Sequence, residues 1–250
     1  MIYGVYQSAA GMMANQYRQD VIANNIANAD TVGFKRELAT FAERPPESVS
    51  GPRIGPSDPN LAGLTGGLLL ARTETDFRPG SLVTTENPTD LALDGPGFFV
   101  VQVNGQPQYT RDGRFIAGAD GVLRAASDGA PAVGVGGSQI VLNPYGGQVV
   151  VDEAGRVFQN NALHGQLALA DFADYSVLQH TEAGRFTAGD VEPSGAIACV
   201  RSGVLENSGV EPVRELVNMI DASRAFELNA RMLGLQDQTT GKLIGCLDRH

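Results

Sequence analysis

The side chains able to do chemistry are few and scattered. Three histidines occur, His164, His180 and His250, and a zinc or copper site needs imidazoles or thiolates at short, recurrent spacings. None of the three has such a neighbour, so ordinary surface positions are expected for them. The two cysteines, Cys199 in a strand-like stretch and Cys246 in a helical one, read as small buried or exposed thiols and not as a disulfide framework. Cys199 has no nearby histidine to activate it, and no Gly-x-Ser-x-Gly elbow is present. Gly134, Gly136 and Gly137 lack the spacing and the following helix of a phosphate loop, so they read as a β-turn. The pairs Asp112-Gly113, Asp120-Gly121 and Asp128-Gly129 lack the alternating acidic ligands and closing glutamate of a calcium loop. No catalytic residue, metal or cofactor is expected, and nothing positive supports an enzyme.

Composition narrows the partners. With 18 Lys+Arg against 28 Asp+Glu, the formal net charge is −10. Nucleic acid and anionic membrane surfaces require a concentrated basic face, which this chain lacks. The acidity favours solubility. A length of 250 residues can bury a sizeable core. Aromatic residues make up only 6%, without tryptophan, and many of the 31 glycines lie mid-chain, a distribution that suggests short strands joined by turns. The opening Met1-Ile2-Tyr3-Gly4-Val5-Tyr6-Gln7 has no basic region followed by an apolar run, so no cleaved secretion signal is expected. The apolar runs are too short to span a membrane. Taken alone, these features point to the cytoplasm.

The elements that would carry these residues are helical at both ends. Val5, Ala9, Met12, Gln16, Gln19, Ala23 and Ile26 alternate four- and three-residue steps over the first thirty residues, the spacing of a coiled-coil seam. Two of these are glutamines, so the seam needs a partner helix. The pattern stops after Asp30, and Val32-Gly33-Phe34 reads as a turn in which Gly33 takes positive φ. At the other end Pro212 suits a first helical turn, and Glu211 and Glu215 suit its positive dipole. Met219, Ala222, Phe226, Asn229, Leu233, Gln236, Thr240, Leu243 and Leu247 alternate three and four, with Leu216 and Ile220 widening the stripe. A helix over Val213–Leu247 would run about 50 Å. Two incomplete seams on one chain are expected to pack on each other. The alternative is two unrelated helices, each docked on the central domain.

Between the helices the periodicity changes. Residues 36–76 read as an extended connector, with Pro45, Pro46, Pro52, Pro56 and Pro59 among Gly and Ser and no apolar period over 44–67. Residues 77–206 read as an all-β domain. Phe98-Phe99-Val100-Val101-Gln102-Val103 precedes the hairpin signal Asn104-Gly105. The three Asp-Gly pairs recur every eight residues, as tight turns between short strands would. Further strands are expected at Ile140–Leu142, Gln148–Val151, Arg156–Phe158, Gln166–Phe172 and Ala196–Val200. The fold class is therefore α+β: N- and C-terminal helices, 1–35 and 207–250, paired as a coiled-coil-like stalk, with an inserted all-β central domain.

Three stretches carry a family resemblance. Asp20-Val21-Ile22-Ala23-Asn24-Asn25-Ile26-Ala27-Asn28-Ala29-Asp30-Thr31-Val32-Gly33-Phe34-Lys35-Arg36 resembles the N-terminal signature of the flagellar axial proteins, which build the rod and hook. Asn87-Pro88-Thr89-Asp90-Leu91-Ala92-Leu93-Asp94-Gly95-Pro96-Gly97-Phe98-Phe99, followed by Tyr109-Thr110-Arg111-Asp112-Gly113, resembles the start of their β domain. Ser202-Gly203-Val204-Leu205-Glu206-Asn207-Ser208-Gly209-Val210, with Glu215-Leu216-Val217-Asn218-Met219-Ile220, resembles their C-terminal signature.

The resemblance implies a structural subunit of the flagellar basal-body rod, proximal in preference to distal. It would be exported by the flagellar type III apparatus and would assemble helically with itself and with other axial proteins. It implies terminal helices in the inner layer of a tube, outer β domains and transmission of torque. The assembly interface is expected at Val5, Ala9, Met12, Asn24, Asn25, Ile26, Asn28, Met219, Phe226 and Leu233, where the asparagine amides offer donors and acceptors for contacts between subunits. In a monomer the same asparagines would cap a helix end. A secreted β-domain binding module, with the helices as its stalk, is the alternative from a different class.

Overall fold

The computed structural model describes residues 2–43 and 67–247. The Pro-rich stretch 44–66, His250 and the side chain of Cys246 lie outside the described residues. The chain divides into two units, one drawn from Met1–Ala27, Glu37–Glu74 and Glu211–His250, the other from Asn28–Arg36 and Thr75–Val210.

In the first unit, helix α1 (Ile2–Ala27) and helix α2 (Pro212–Leu247) lie side by side. A Cβ on Gly4 would fall 2.7 Å from Gln236 Nε2, and one on Gly11 would fall 2.9 Å from Asn229 Nδ2. The helices are therefore antiparallel, and a step of seven residues on one matches a step of seven on the other. Asn229 and Gln236 belong to the expected seam of α2, and Ala222, another member, is buried. On α1 the close approach falls one position before the expected seam. Gly4, buried Ser8 and Gly11 take the place of Val5, Ala9 and Met12. Further along, Ile22 and Asn25 are buried while Gln16 and Ala23 are exposed. The apolar pattern missed this because backbone proximity favours small residues, which a hydrophobic count passes over. Leu216 and Ile220 do not widen the packed stripe of α2, being 52% and 51% exposed.

The described parts of the expected connector are strands. β1 (Arg36–Glu43) and β2 (Leu68–Asp76) form a two-stranded sheet. The Thr40 hydroxyl donates to the Arg72 carbonyl at 2.6 Å. Residues of this ribbon meet α1: Tyr17 and Thr73 share a hydroxyl hydrogen bond, and the Arg18 guanidinium stands 5.3 Å from the Phe41 ring centre. Leu38, Thr40 and the Leu68-Leu69-Leu70 run supply strand-forming residues, but without the clean alternation that marks a strand in sequence.

The second unit is β-rich. Its strands are β3 (Leu82–Thr84), β4 (Leu91–Asp94), β5 (Phe98–Val103), β6 (Gln106–Thr110), β7 (Phe115–Ala117), β8 (Leu123–Ala125), β9 (Val149–Val151), β10 (Arg156–Gln159), β11 (Ala162–Gln166), β12 (Leu169–Asp171), β13 (Gln179–Thr181), β14 (Arg185–Thr187), β15 (Ser194–Gly195), β16 (Cys199–Ser202) and β17 (Val204–Glu206). An antiparallel six-stranded sheet runs β13-β14-β6-β5-β12-β15, a three-stranded sheet runs β11-β10-β9, and β4–β16, β3–β17 and β7–β8 pair separately. Ile140–Leu142, expected as a strand, makes only isolated bridges through its neighbourhood, Val122 to Val141 and Val133 to Gln139.

β5 explains why this unit holds together. Successive side chains of a strand point to opposite faces. Phe98 and Val100 enter one cluster with Tyr109, Phe172 and Phe186, and Phe99 and Val101 enter another with Leu91, Phe115, Leu123 and Val157. A continuous apolar run is what a strand covered on both faces requires.

The turns follow local chemistry. Asn104-Gly105 joins β5 to β6 with φ of 52° and 81°, as a two-residue type I′ hairpin demands. Asn160-Asn161, at 51° and 64°, joins β10 to β11 in the same way. Asp120-Gly121 and Asp128-Gly129 are turns, but Asp112-Gly113 is not a hairpin. Asp112 instead pairs with Arg114 at 2.8 Å, and Gly113 is small because a Cβ there would overlap the Leu91 carbonyl.

Candidate functional site

The densest polar chemistry in the second unit is a buried ionic node, and its members come one from each signature stretch. Lys35 follows the turn Val32-Gly33-Phe34, Arg111 lies just past β6, and Glu206 ends β17. Lys35 Nζ donates to Glu206 Oε1 at 2.6 Å, with side-chain exposures of 0% and 2%. Arg111 Nη1 donates to Glu206 Oε2 at 3.3 Å. The same carboxylate accepts the Gly80 N–H at 2.9 Å.

Two cations against one anion leave an excess positive charge away from water, and oriented main-chain carbonyls offset it. Lys35 Nζ donates to the Arg78 carbonyl at 3.0 Å, and Arg111 donates to those of Gly95 at 2.8 Å and Leu93 at 3.4 Å. The Arg111 guanidinium also lies 5.4 Å from the Phe98 ring centre, where the π-face attracts a cation. Burial pushes the Lys35 ammonium below the ordinary lysine range, Glu206 opposes that shift, and Arg111 adds to it.

Main-chain bonds lock the same junction. Gly33 N–H donates to the Glu206 carbonyl at 2.8 Å, and Gly209 N–H donates to the Phe34 carbonyl at 2.9 Å. Gly33 has φ of 67°, and a Cβ there would lie 2.4 Å from the Arg111 carbonyl carbon. The glycine is thus required by both its backbone conformation and the close approach. The segment after α1 and the segment before α2 are stitched to each other and to the turn after β6. These groups hold one another, apart from Arg111 Nε, which is buried and meets no hydrogen-bond partner among the described residues, and the arrangement is one that fixes segments in place.

Charged residues inside a signature were the available signal for this node. Lys35, Arg111 and Glu206 each stand in such a stretch, yet nothing in a linear pattern pairs positions 171 residues apart. The expected assembly residues fall differently. Asn25 is buried, and its amide is used inside the chain: Nδ2 donates to the Glu37 carbonyl at 2.8 Å, and Oδ1 accepts the Glu37 N–H at 2.9 Å, as a neighbouring strand would. Asn24 is exposed and reaches the Glu37 carboxylate at 3.2 Å. Asn28 is half-buried and accepts from the Thr31 hydroxyl at 3.2 Å. Val5, Ala9, Met12, Ile26, Met219, Phe226 and Leu233 are all half-buried.

The remaining candidates are dispersed. His164 Nδ1 bonds the Val141 carbonyl at 2.9 Å, His180 packs edge-on to Phe34 and Phe186, and Cys199 is exposed on β16. Among the described residues, no three His, Cys, Asp or Glu side chains gather as a metal would require, and no helix is long and apolar enough to cross a membrane.

The buried charges bind this chain's own segments together, as a framework that positions the signature stretches requires. The comparisons agree. Residues 6–35 match the family described as flagella basal body rod protein, residues 92–159 the flagellar hook protein FlgE/F/G D1 domain, and residues 201–245 the flagellar basal body rod FlgEFG protein C-terminal region. The flagellar basal-body rod protein FlgF of Caulobacter vibrioides is 35% identical over 92% of this chain and 91% of its own length. FlgG of Buchnera aphidicola subsp. Schizaphis graminum is 31% identical over 97% and 99%, and FlgF of Salmonella typhimurium is 31% identical over 97% of each. The chain belongs to the flagellar basal-body rod protein family, whose members are structural and not enzymes.

Proposed function

We propose that this chain is a subunit of the bacterial flagellar basal-body rod, polymerising helically through its terminal helices and carrying torque from motor to hook. The supporting observation is a set of uncovered apolar side chains along one side of α2. Val213, Val217, Ile220, Leu228, Met232 and Leu235 are all at least half exposed. At about 100° per residue they share one sector with the exposed Arg214, Asp221, Arg224 and Arg231, to one side of Ala222, Asn229 and Gln236. An isolated monomer gains nothing from such a set, whereas neighbouring copies bury it.

The antiparallel α1–α2 pair acts as a coiled-coil-like stalk within a terminal domain of residues 1–35 and 207–250. Residues 36–76 form the connection, and 77–206 are the β domain. The partners are further copies and other axial proteins, without nucleic acid or a small-molecule substrate, consistent with the charge of −10. The route is type III export, into the periplasm-spanning rod. A proximal position is favoured by the resemblance of Asp128-Gly129-Ala130-Pro131, Gly155-Arg156-Val157 and Gly165-Gln166-Leu167-Ala168-Leu169 to the proximal rod protein, against Glu215-Leu216-Val217-Asn218-Met219-Ile220, which resembles the distal one.

A deletion strain complemented with Leu228→Asp tests the reading. Non-motile cells with truncated basal bodies are expected, and the stage of truncation separates proximal from distal rod. Normal flagella in the deletion strain itself would overturn the assignment.

A further inference from the structure

The three-stranded sheet has one face sealed and one open. Val151 and Val157, paired across β9 and β10, point into the core. On the other side Phe158 pairs with Val150 on one flank and Leu163 on the other, giving an unbroken apolar row across all three strands. Val150 is 52% exposed and Leu163 58%. Tyr145, 98% exposed, stands on a turn pinned by the Gln159 side chain, whose Oε1 accepts the Asn143 N–H and whose Nε2 donates to the Asn143 and Gly147 carbonyls. An exposed tyrosine on a rigid mount loses little entropy when it is covered.

Charge indicates what covers this face. Residues 129–170 contain only Asp152, Glu153 and Arg156, two acids and one base for a local net of −1, against −10 for the chain. Arg156 is neutralised by Asp152 at 2.6 Å and lies 5.8 Å from the Phe158 ring centre. Beyond this ion pair the rim is amide, with Gln148 and Asn161 exposed. An apolar centre depleted of charge within a polar rim is the composition of a protein interface. Copies of an acidic chain repel one another wherever their carboxylates meet, and they approach without that cost only on a neutral surface. A basic partner would instead select the acidic surface elsewhere on the chain.

We infer that the open face of the β9–β10–β11 sheet, centred on Val150, Phe158 and Leu163 with Tyr145 at its edge, docks against the β-rich unit of a second copy of this chain. In an open helical assembly the contact is heterologous, so this face meets a different patch on its neighbour. The inference rests on the rod-subunit reading, and it adds a lateral contact that the helices do not supply.

The test replaces Tyr145 with a photoreactive benzophenone side chain in cells, irradiates purified basal bodies, and identifies both chains of each adduct by peptide mass spectrometry. An adduct of two copies of the 26.3 kDa chain is expected. An adduct with any other protein, or no more adduct than from the same group at exposed Asp190, overturns the inference. In parallel, Leu163→Asp is expected to fold with an unchanged melting profile and to lower assembled rod at least tenfold. Normal rods from Leu163→Asp alongside failed rods from Leu228→Asp would sink this contact and leave the helix-driven reading standing. Normal rods from both would sink the reading itself.

Discussion

At the scale of single residues, the node around Glu206 carries the sharpest expectation. Glu206→Gln strips the carboxylate from two buried cations. Breaking a buried pair costs about 3–5 kcal/mol, because the orphaned charge stays away from water. Chemical unfolding should show a loss of that order, and Lys35→Met in the same background should return part of it. A loss below about 1 kcal/mol, the range of exposed pairs, would mean that water reaches the site. Gly33→Ala should cost about 1–3 kcal/mol from the left-handed backbone alone, with the approach to Arg111 adding to it. A different dependence belongs to Tyr175, whose hydroxyl donates to Asp171 at 2.7 Å. Burial, then this bond, pushes its pKa from 10.0 up to about 12. Because the folded-state value is the higher one, the stabilisation is complete below about pH 10 and is lost as pH approaches about 12. In Tyr175→Phe the loss of stability across that interval should be shallower, and an unchanged slope would refute the linkage.

Helices and strands were legible to different depths. Both terminal helices could be placed from periodicity, with α2 starting at Pro212 because that residue needs no N–H partner in a first turn. β5 and its Asn-Gly turn were readable from composition alone. The seam of α1 was not, because Gly4, Ser8 and Gly11 earn their place by being small, and a count of apolar residues selects Val5, Ala9 and Met12 beside them. Gly11→Leu should therefore separate the helix pair at Asn229. Far-UV circular dichroism of the full chain should record reduced helicity, whereas Met13→Ala, at a 72% exposed position on the same helix, should leave it unchanged. The ribbon of β1 and β2 escaped notice because its residues lack clean alternation. The ionic node escaped for another reason: a pairing between the signatures is set by tertiary closure, which no local window contains.

At the scale of the whole molecule, acidity and apolar surface oppose each other. In the proposed assembly a charge of −10 opposes the approach of separate copies, while the exposed apolar side chains of α2 favour it. Raising ionic strength from about 0.01 M to about 0.15 M shortens the screening length from about 30 Å to about 8 Å. Light scattering of purified protein should then show faster polymerisation, and slower polymerisation with salt would place ion pairs, not apolar contacts, at the interface. The strand Phe98–Val103 has a last consequence. Because its alternate side chains serve both hydrophobic clusters, neither cluster can melt while the other survives, so the β-rich unit should give up its structure in one calorimetric peak. A load applied to either side of that strand is shared by the other, as in a beam glued along both flanks.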